Sequence, residues 1–306
     1  MKILLVCSEN SGRIAPFILE QAEALNKLGV KTDFFTIKSK GWKGYLYNRK
    51  SLIKKITDYR PDLIHAHYGL SGLMANLQRK VPVITTYHGS DINNNAVFRF
   101  SKWSIRLSFF NIFVSLKNFE KANHKNNSTI IPCGIDTDLF SPSDKNQSRN
   151  KLSFTSDEKL VLFAGAFDNP VKNSSLAKDA VSLLENVRLI ELKGYDRLVV
   201  SELMNAVDAL LMTSHSEGSP QVIKEAMACN CPIVSVDVGD VREMIQNTAH
   251  CYVSENNAQE IADKLNEIFE KGERTNGRNE IIARNLDQMS VANQILSIYK
   301  SVLKSE

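Results

Sequence analysis

Short apolar runs alternate with amphipathic stretches along the whole 306-residue chain. The runs have the length of buried strands, and many of the stretches between them carry apolar residues at helical spacing. This alternation is typical of parallel sheets whose strands are connected by helices. The predicted strands are residues 2–7, 30–37, 63–66, 83–87, 112–115, 129–131, 159–164, 188–192, 209–213, 232–236 and 250–253, and the predicted helices are residues 16–28, 174–184, 199–206, 220–228, 258–269, 279–285 and 291–303.

The periodicity stops once, in the polar residues 141–148, and then restarts. We interpret this stretch as a linker between an N-terminal domain of residues 1–145 and a C-terminal domain of residues 146–306. The predicted fold class is α/β, with two Rossmann-like, doubly wound parallel-sheet domains facing a central cleft and a helical C-terminal tail. The last helix could pack back on the N-terminal domain. Ligands of open parallel sheets bind at the carboxyl ends of the strands, so we expect the site in the cleft.

The two halves of the chain carry opposite net charges, although the formal charge of the whole chain is only +4. Residues 1–150 contain 22 basic and 11 acidic side chains, whereas residues 151–306 contain 16 and 23. The first half therefore favours an anionic partner or surface.

Two segments of the first half, residues 38–55 and 99–110, combine basic side chains with aromatic ones. This combination is typical of segments that contact an anionic membrane surface, and a solvated basic face over ordinary core aromatics is the alternative. Nucleic acid is not an expected partner, because no recognised binding motif accompanies the basic residues.

The cysteines and the apolar runs indicate the cellular context. Five cysteines, an odd number, and a first segment without a secretion signal predict reduced thiols and a cytoplasmic protein. The longest uncharged apolar runs are far shorter than the ~20 residues of a membrane-spanning helix. Any membrane contact is therefore expected to be peripheral, at the inner face of the cytoplasmic membrane.

Residues 214–228 contain the most informative pattern. Ser219 and Pro220 stand where a helix is expected to begin, as an N-cap serine and a proline at the first helical position. The backbone N–H groups of residues 218–222 and the helix dipole would favour a phosphate there, and Gly218 would let it approach closely.

Two glutamates, Glu217 and Glu225, flank this predicted anion site. Carboxylates would repel phosphates but can accept hydrogen bonds from vicinal hydroxyl pairs. Phosphate and diol recognition together point to a nucleotide sugar, although an ordinary strand-turn-helix with surface glutamates has the same local pattern.

Four motifs, in the right order, resemble those of family 4 glycosyltransferases (glycosyl transferases group 1), which are retaining enzymes of the GT-B fold. The two glutamates, with residues 225–229 and 232–239, resemble the donor-site signature. Residues 86–91 resemble the family's N-terminal strand-end motif, and residues 131–136 with Phe140 resemble the segment leading into the hinge. Residues 11–12, 15–17 and 21–25 resemble the opening turn and helix, where the family places the acceptor and the donor phosphates.

The resemblance implies roles for individual residues of the donor site. Glu225 would hold the ribose hydroxyls and Glu217 those of the transferred sugar, while Lys172 would stabilise the leaving diphosphate. The implied donor site consists of Gly12, Lys172, Gly194, Tyr195, Glu217, Gly218, Ser219, Pro220, Gln221, Val222 and Glu225. Gly194 and Tyr195 lie where the family contacts the base, but a turn glycine beside a surface tyrosine explains them as well. The donor would be a nucleotide sugar such as a UDP- or GDP-sugar, with no further cofactor.

The chain departs from the family pattern around the phosphate lysine. Ala166 stands where an arginine is usual, and Asn173 replaces the usual glycine after the lysine. One phosphate contact is therefore missing or supplied elsewhere, with Arg13, Lys193 and Arg197 as candidates.

Three histidines, His65, His67 and His88, lie at predicted strand ends of the first half. The spacing of His65 and His67 could chelate zinc together with His88, but nothing completes a clear ligand set, and no metal site is predicted. The resemblance implies instead that His88 lies beside the transferred sugar and that Arg13, His67 and Asp91 lie near the acceptor. A structural role is predicted for His65.

The resemblance implies a retaining, metal-independent glycosyltransferase with His88, Lys172 and Glu217 as catalytic residues. It would move a sugar to a glycan or lipid-linked acceptor in polysaccharide or cell-envelope biosynthesis. The acceptor hydroxyl would attack the face that the diphosphate leaves, and the leaving phosphate would take the proton.

Two alternatives stay open. One is a nucleotide-sugar epimerase of the same fold, and the other is a catalytically silent protein that binds nucleotide sugars or glycans, which the missing arginine suggests. A dehydrogenase is disfavoured, because residues 8–12 after the first strand are not a glycine-rich dinucleotide turn.

Overall fold

The computed structural model describes residues 1–39 and 41–304, and this chain divides into two compact units. Residues 1–134 and the C-terminal helix form the first unit, and Ile135–Asp287 forms the second. Each unit is a parallel sheet flanked by helices, so the predicted α/β class is confirmed.

The first unit contains six strands and eight helices among its described residues. The strands are β1 Lys2–Ser8, β2 Lys31–Ile37, β3 Leu63–His67, β4 Val83–Tyr87, β5 Phe110–Phe113 and β6 Ser128–Ile130. The helices are α1 Pro16–Lys27, α2 Gly41–Tyr47, α3 Arg49–Tyr59, α4 Gly69–Asn76, α5 Ser90–Asn93, α6 Asn95–Leu107, α7 Leu116–Ala122 and, after the second unit, α15 Gln288–Lys304.

All neighbouring strands of the first sheet are parallel, in the order β2-β1-β3-β4-β5-β6. The central strand β1 is buried along its length, since residues 3–7 have no exposed surface. The order reverses at β1, because β2 lies on one side of it and β3 on the other. Such a reversal leaves a crevice at the carboxyl ends of the two diverging strands.

The second unit repeats this plan with five parallel strands in the order β11-β10-β9-β7-β8. Its strands are β7 Lys159–Phe163, β8 Val187–Glu191, β9 Ala209–Met212, β10 Ile233–Val236 and β11 Cys251–Ser254. Its helices are α8 Lys145–Lys151, α9 Ser174–Ser182, α10 Arg197–Ala206, α11 Gln221–Ala228, α12 Val241–Ile245, α13 Ala258–Lys271 and α14 Gly277–Ala283, with a 3₁₀ turn at Pro170–Lys172. Here the order reverses at β7, which lies between β8 and β9.

The polar stretch 141–148, interpreted above as a linker, lies inside the second unit and includes the start of α8. Asp144 caps this helix by accepting a hydrogen bond from the amide of Gln147. Arg149 is buried and donates to the carbonyl of Ala206 at 2.9 Å and to the carboxylate of Asp208 at 2.9 Å. Because these long-range bonds hold a polar helix, the division between the units falls after residue 134, earlier than the predicted boundary at residue 145.

The C-terminal helix α15 belongs to the first unit, where it packs against α1. Its buried face consists of Val291, Ala292, Ile295, Leu296, Tyr299 and Val302. These residues recur at helical spacing and join the core cluster that contains Ile3, Leu5 and Leu25. The chain therefore returns to its first sheet after completing the second.

None of the helices that the structure describes is both long and apolar enough to cross a membrane. All five cysteines are free thiols.

Candidate functional site

Two loops of the second unit meet at the carboxyl ends of β7 and β9, where the strand order reverses. The loop after β7 contains Lys172, and the loop after β9 contains Glu217. The Nζ atom of Lys172 lies 2.6 Å from Oε1 of Glu217, and only about a fifth of either side chain is exposed, 22% and 18% respectively. The structure thus brings together the cation and the carboxylate that were predicted for the donor site.

Backbone contacts join the two loops that carry this ion pair. The amide of His215 donates to the carbonyl of Val171 at 2.9 Å, and the hydroxyl of Thr213 donates to the carbonyls of Lys172 and Asn173 at 3.0 and 2.9 Å. The stem of Lys172 lies against Gly165, where a Cβ atom would be only 2.7 Å from Cγ of the lysine. A glycine at this position is therefore required by the path of the lysine side chain.

Helix α11 begins one residue later than predicted. Pro220 is its N-cap, with φ −69° and ψ 120°, and Gln221 is the first helical residue. The prediction that Ser219 caps the helix and that Pro220 occupies its first position was wrong, because the extended backbone of Pro220 keeps both residues outside the helix. The first turn of the helix accordingly starts at Gln221, and Val222 lies in the same turn.

The backbone of Gly218 packs against Gly239, a residue that follows β10. Gly239 has φ +59°, and a Cβ atom on it would lie 2.7 Å from the carbonyl oxygen of Gly218. The two backbones can approach this closely only because Gly239 lacks a side chain. Residues 232–239 belonged to the sequence signature, but their pattern did not show that Gly239 supports the loop of Glu217.

A buried lysine in α11 also supports this loop and was not predicted as a functional residue. Lys224 is fully buried, and its Nζ atom donates to Oε1 of Gln221 at 2.8 Å. Burial raises the pKa of the Asp240 carboxyl, and the neighbouring Lys224 and Ser219 oppose that rise. A buried lysine inside an otherwise apolar helix face is the signal that could have indicated such a role.

Glu225, predicted for the ribose hydroxyls, is buried at 4% exposure and forms an ion pair with Arg197 at the start of α10. The guanidinium of Arg197 also lies over the ring of Phe140, 4.6 Å from its centroid. This carboxylate of the predicted donor site is therefore paired with a cation from a neighbouring helix.

Three basic side chains are the predicted replacements for the phosphate contact that Ala166 cannot make. Arg197 pairs with Glu225, and Lys193 pairs with Asp168 at 2.6 Å through exposed side chains. The hydrogen bond from Lys193 lowers the pKa of Asp168. Arg13 belongs to an exposed turn of the first unit.

The predicted base-contacting residues lie in the turn between β8 and α10. Gly194 has φ +81°, a left-handed conformation that favours glycine, and Tyr195 is 40% exposed. The turn ends at Asp196, which caps α10 by accepting a hydrogen bond from the amide of Val199 at 2.9 Å. The contact with a base stays a prediction.

In the first unit, three histidines, of which His65 and His67 are buried and His88 is half-buried, form a group at the ends of β3 and β4. Nδ1 of His67 lies 3.0 Å from Nε2 of His88, and Nδ1 of His88 lies 3.6 Å from the Sγ atom of Cys133. Burial lowers the pKa of His67 to about 3. His65 is also fully buried, between the hydroxyls of Tyr299 at 2.6 Å and Thr86 at 2.7 Å, as a structural role requires.

Among the residues that the structure describes, no three His, Cys, Asp or Glu side chains are arranged as a group that could hold a metal ion. The imidazoles of His67 and His88 are instead bonded to each other, and the rings of Phe17 and Tyr68 pack on His88 with centroids at 4.8 and 4.6 Å.

The predicted acceptor residues lie in two different settings. Asp91 is buried and accepts backbone hydrogen bonds from Gly69, His88 and Gly89 at 2.9 to 3.0 Å. Burial raises the pKa of this carboxyl to about 6, against the lowering effect of those bonds. Arg13 follows Gly12, whose φ of +89° shapes the exposed turn after β1. Neither position shows what an acceptor would contact.

Two family models match this chain, and together they span most of it. The model described as Glycosyltransferase Family 4 matches residues 20–139, and the model described as Glycosyl transferases group 1 matches residues 159–271. The chain belongs to glycosyltransferase family 4.

This family 4 member is similar to TuaC of Bacillus subtilis, a glycosyltransferase named for teichuronic acid biosynthesis. The two are 25% identical over 241 residues, which is 69% of this chain and 62% of TuaC. The match thus spans less than two thirds of that relative's length.

Solved structures share the whole fold of the family 4 member at low sequence identity. Sucrose-phosphate synthase from Thermosynechococcus elongatus aligns over 100% of both chains with a TM-score of 0.87 and 16% identity. HepE of Anabaena, in complex with UDP, aligns over 98% of this chain and 100% of its own with a TM-score of 0.74 and 18% identity. These likenesses establish the α/β GT-B fold.

Proposed function

We propose that this family 4 member transfers a sugar from a nucleotide-sugar donor, such as a UDP- or GDP-sugar, to a glycan or lipid-linked acceptor in polysaccharide or cell-envelope biosynthesis. The observation that carries the proposal is the contact of 2.6 Å between Lys172 and Glu217 at the reversal point of the second sheet. It joins a cation suited to a diphosphate with a carboxylate suited to sugar hydroxyls. The UDP bound by HepE supports a nucleotide as part of the donor.

The proposed reaction proceeds with retention and without a metal or cofactor. The acceptor oxygen forms a bond to the anomeric carbon, and the bond from that carbon to the diphosphate breaks with its electron pair on the phosphate oxygen. The acceptor proton passes to that leaving oxygen. Lys172 and the amides at the start of α11 would stabilise the developing negative charge. The family resemblance gives His88 a place beside the transferred sugar.

The donor-site assignment is tested with Glu225→Ala and Lys172→Ala. Lys172→Ala should lose more than about 90% of donor hydrolysis or transfer, since loss of one charge-stabilising group usually lowers a rate at least tenfold. Glu225→Ala should lose as much, because the ribose hydroxyls would lose a charged hydrogen-bond acceptor. Lys264→Ala is the matched control, because that lysine also pairs with a glutamate, Glu267, but on the surface of α13. Full activity in both site variants would reject the assignment. Interconversion of donors without any acceptor would indicate an epimerase instead.

A second candidate function is a nucleotide-sugar or glycan-binding protein without turnover. It is favoured by one observation: Arg197 and Lys193, which could replace the cation missing at Ala166, both pair with carboxylates. Calorimetry that detects donor binding, combined with no transfer to any of a panel of acceptors, would support this candidate. Transfer to a single acceptor would reject it.

We also propose that the basic first unit contacts an anionic membrane surface at the cytoplasmic face. Trp42, Tyr47 and Trp103 are exposed and lie among basic side chains in the segments 38–55 and 99–110, of which Lys40 falls outside the described residues. Aromatic rings at headgroup level and nearby cations are the features of interfacial binding. Equal flotation with anionic and neutral vesicles would reject this contact.

A further inference from the structure

An apolar cavity of about 240 Å³ opens on the first unit, between α2, α4 and α6. Its walls are aliphatic and aromatic, and they include Trp42, Leu46, Leu73, Leu77 and Phe100. The cavity is open to solvent at its rim, where Trp42 is 45% and Leu46 is 38% exposed. An exposed apolar cavity of this kind is unfavourable in water unless it receives an apolar ligand.

The cavity follows from the close packing of α4 against α6. Gly69 and Gly72 of α4 face Ser101 and Ser104 of α6 so closely that a Cβ atom on either glycine would come within 2.3 Å of a serine hydroxyl. This contact fixes the two helices together along one side of α4. The leucines on its other side are covered only in part by the short helix α2, whose Trp42 stacks on Phe100 with ring centroids 6.2 Å apart.

Basic side chains surround the mouth of the cavity. Nζ of Lys43 lies 5.7 Å from the ring of Trp42, and the guanidinium carbon of Arg99 lies 4.8 Å from the ring of Phe100. Lys102 and Arg106 lie further along α6, over the rings of Phe98 and Trp103, and belong to the basic surface beside the cavity and not to its mouth. Across residues 1–39 and 41–304, no carboxylate forms a salt bridge with any of these four cations. The surface is therefore complementary to an anion.

We propose that this cavity binds one acyl chain of an anionic phospholipid of the bilayer, with the lipid phosphate between Lys43 and Arg99. The proposal rests on the proposed membrane contact and adds a specific site to it. Charge alone would hold the protein at the membrane surface but would not place an acyl chain in the cavity. The apolar walls fit an acyl chain, and the aromatic residues at the rim fit the headgroup level. Phospholipid is favoured over a second copy of the chain, since another basic surface would be repelled.

The first test uses the two tryptophans of the chain as separate probes. Trp103→Phe leaves Trp42 as the single emitter, and Trp42→Phe leaves Trp103. Each variant is mixed with vesicles of phosphatidylglycerol and phosphatidylcholine that carry a nitroxide either on the acyl chain or on the headgroup. Trp42 should be quenched about twofold more by the chain label than by the headgroup label, because it lines the cavity. Equal quenching of Trp42 by the two labels would overturn the proposal.

The second test measures flotation with the same unlabelled vesicles. Leu73→Phe, which narrows the cavity, and Leu46→Ser, which removes an apolar side chain at its rim, should each lower the bound fraction about tenfold. Leu46→Ser changes a partly exposed residue and keeps the test valid if the larger side chain of Leu73→Phe impairs folding. Leu183→Ser, at a leucine that is 53% exposed in the second unit, is the matched control and should bind as the wild type. Unchanged binding of both cavity variants would overturn the proposal.

The outcomes separate this proposal from the proposed function. Vesicle binding without preferential quenching of Trp42 by the chain label rejects the cavity and leaves the membrane contact. No vesicle binding by the wild type rejects both. A dimer in sedimentation experiments that is lost in Leu46→Ser would overturn the lipid as occupant in favour of a second copy. Donor binding, measured by thermal stabilisation with a panel of nucleotide sugars, should be equal in all these variants, so a failed donor assignment is detected independently.

Discussion

The ammonium group of Lys172 and the carboxylate of Glu217 lie 2.6 Å apart, at the ends of two strands that are neighbours in the sheet but not in sequence. The cation reduces the repulsion that an isolated carboxylate would exert on a diphosphate bound at the start of α11. A bound diphosphate and Glu217 would therefore compete for the same lysine. This competition makes the donor-site proposal testable on nucleotide binding as well as on turnover.

We expect Glu217→Gln to bind a free nucleoside diphosphate about fivefold more tightly, because removal of a competing, partly exposed ion pair is worth roughly 1 kcal/mol. The same variant should transfer sugar at least ~10-fold more slowly, since a charged acceptor of sugar hydroxyl bonds is lost. Titration calorimetry and a transfer assay measure the two effects. Lys172→Gln is the opposing variant and should weaken nucleotide binding. If both variants weaken it equally, competition for Lys172 is not the correct account.

Gly239→Ala should destabilise the protein and weaken donor binding together. Its Cβ atom would lie 2.7 Å from the carbonyl oxygen of Gly218, and the residue has φ +59°. We expect a loss of about 2–4 kcal/mol in the free energy of unfolding, from backbone strain and from the displaced loop.

Gly272→Ala is the matched control for this substitution. Gly272 has φ +64°, but nothing lies within 4 Å of the position of its Cβ atom. This variant should lose only ~1 kcal/mol and keep its affinity for nucleotide. Equal donor affinities in the two alanine variants would show that Gly239 does not support the loop.

The buried ion pair between Arg197 and Glu225 should be strongly coupled. Arg197→Ala leaves a carboxylate whose side chain is only 6% exposed without this partner, so we expect a loss of about 3 kcal/mol in the free energy of unfolding. Glu225→Gln with intact Arg197 should be destabilising as well. The double variant should recover part of the loss, which a double-mutant cycle on chemical denaturation measures. Additive losses would mean that the two side chains act independently.

The free energy of unfolding should fall as the pH is lowered from about 6.5 towards 3, with a contribution from His67. Burial holds the pKa of this histidine at about 3 in the folded protein, whereas its ordinary value is 6.5. The unfolded state therefore binds a proton in this interval that the folded state does not, which lowers stability by about 1.4 kcal/mol per pH unit. His67→Gln should flatten the pH profile of urea denaturation. An unchanged slope would contradict the assignment.

The carboxyl of Asp91 should change the free energy of unfolding in the opposite direction over part of the same pH interval. Burial raises its pKa in the folded protein to about 6, from an ordinary value of 3.8. Between these two values, the folded state holds a proton that the unfolded state has released. This carboxyl therefore adds stability as the pH falls through 6, and Asp91→Asn should make the acid loss steeper. The two variants together distinguish the signs of the two buried groups in one assay.

Most strands could be predicted from the sequence, because each is a short apolar run and needs no knowledge of its partners. The runs at residues 2–7 and 159–164 correspond to β1 and β7, the strands at which the strand order of each sheet reverses. The resemblance likewise selected Lys172, Glu217 and Glu225 from local motifs. The strands and the motifs are both defined by residues that are close in sequence, and they can therefore be recognised without knowledge of the fold.

The boundary between the units and the helix α8 could not be predicted in this way. Residues 145–151 are polar and lack a periodic apolar face, and their helix is held by bonds from Arg149 to Ala206 and Asp208. Such bonds join residues nearly sixty positions apart, so the local pattern favoured a linker.

The details of the site were decided by tertiary contacts. The partner of Glu225 is Arg197 on another helix, the support of Gly218 is Gly239 after another strand, and the apolar cavity beside Trp42 exists because glycines of α4 admit α6 so closely. Local pattern predicts which residues are buried or extended, since burial of a periodic face is a property of a short segment. Which side chains then meet depends on strand order and helix packing, and these arise only when the whole chain folds.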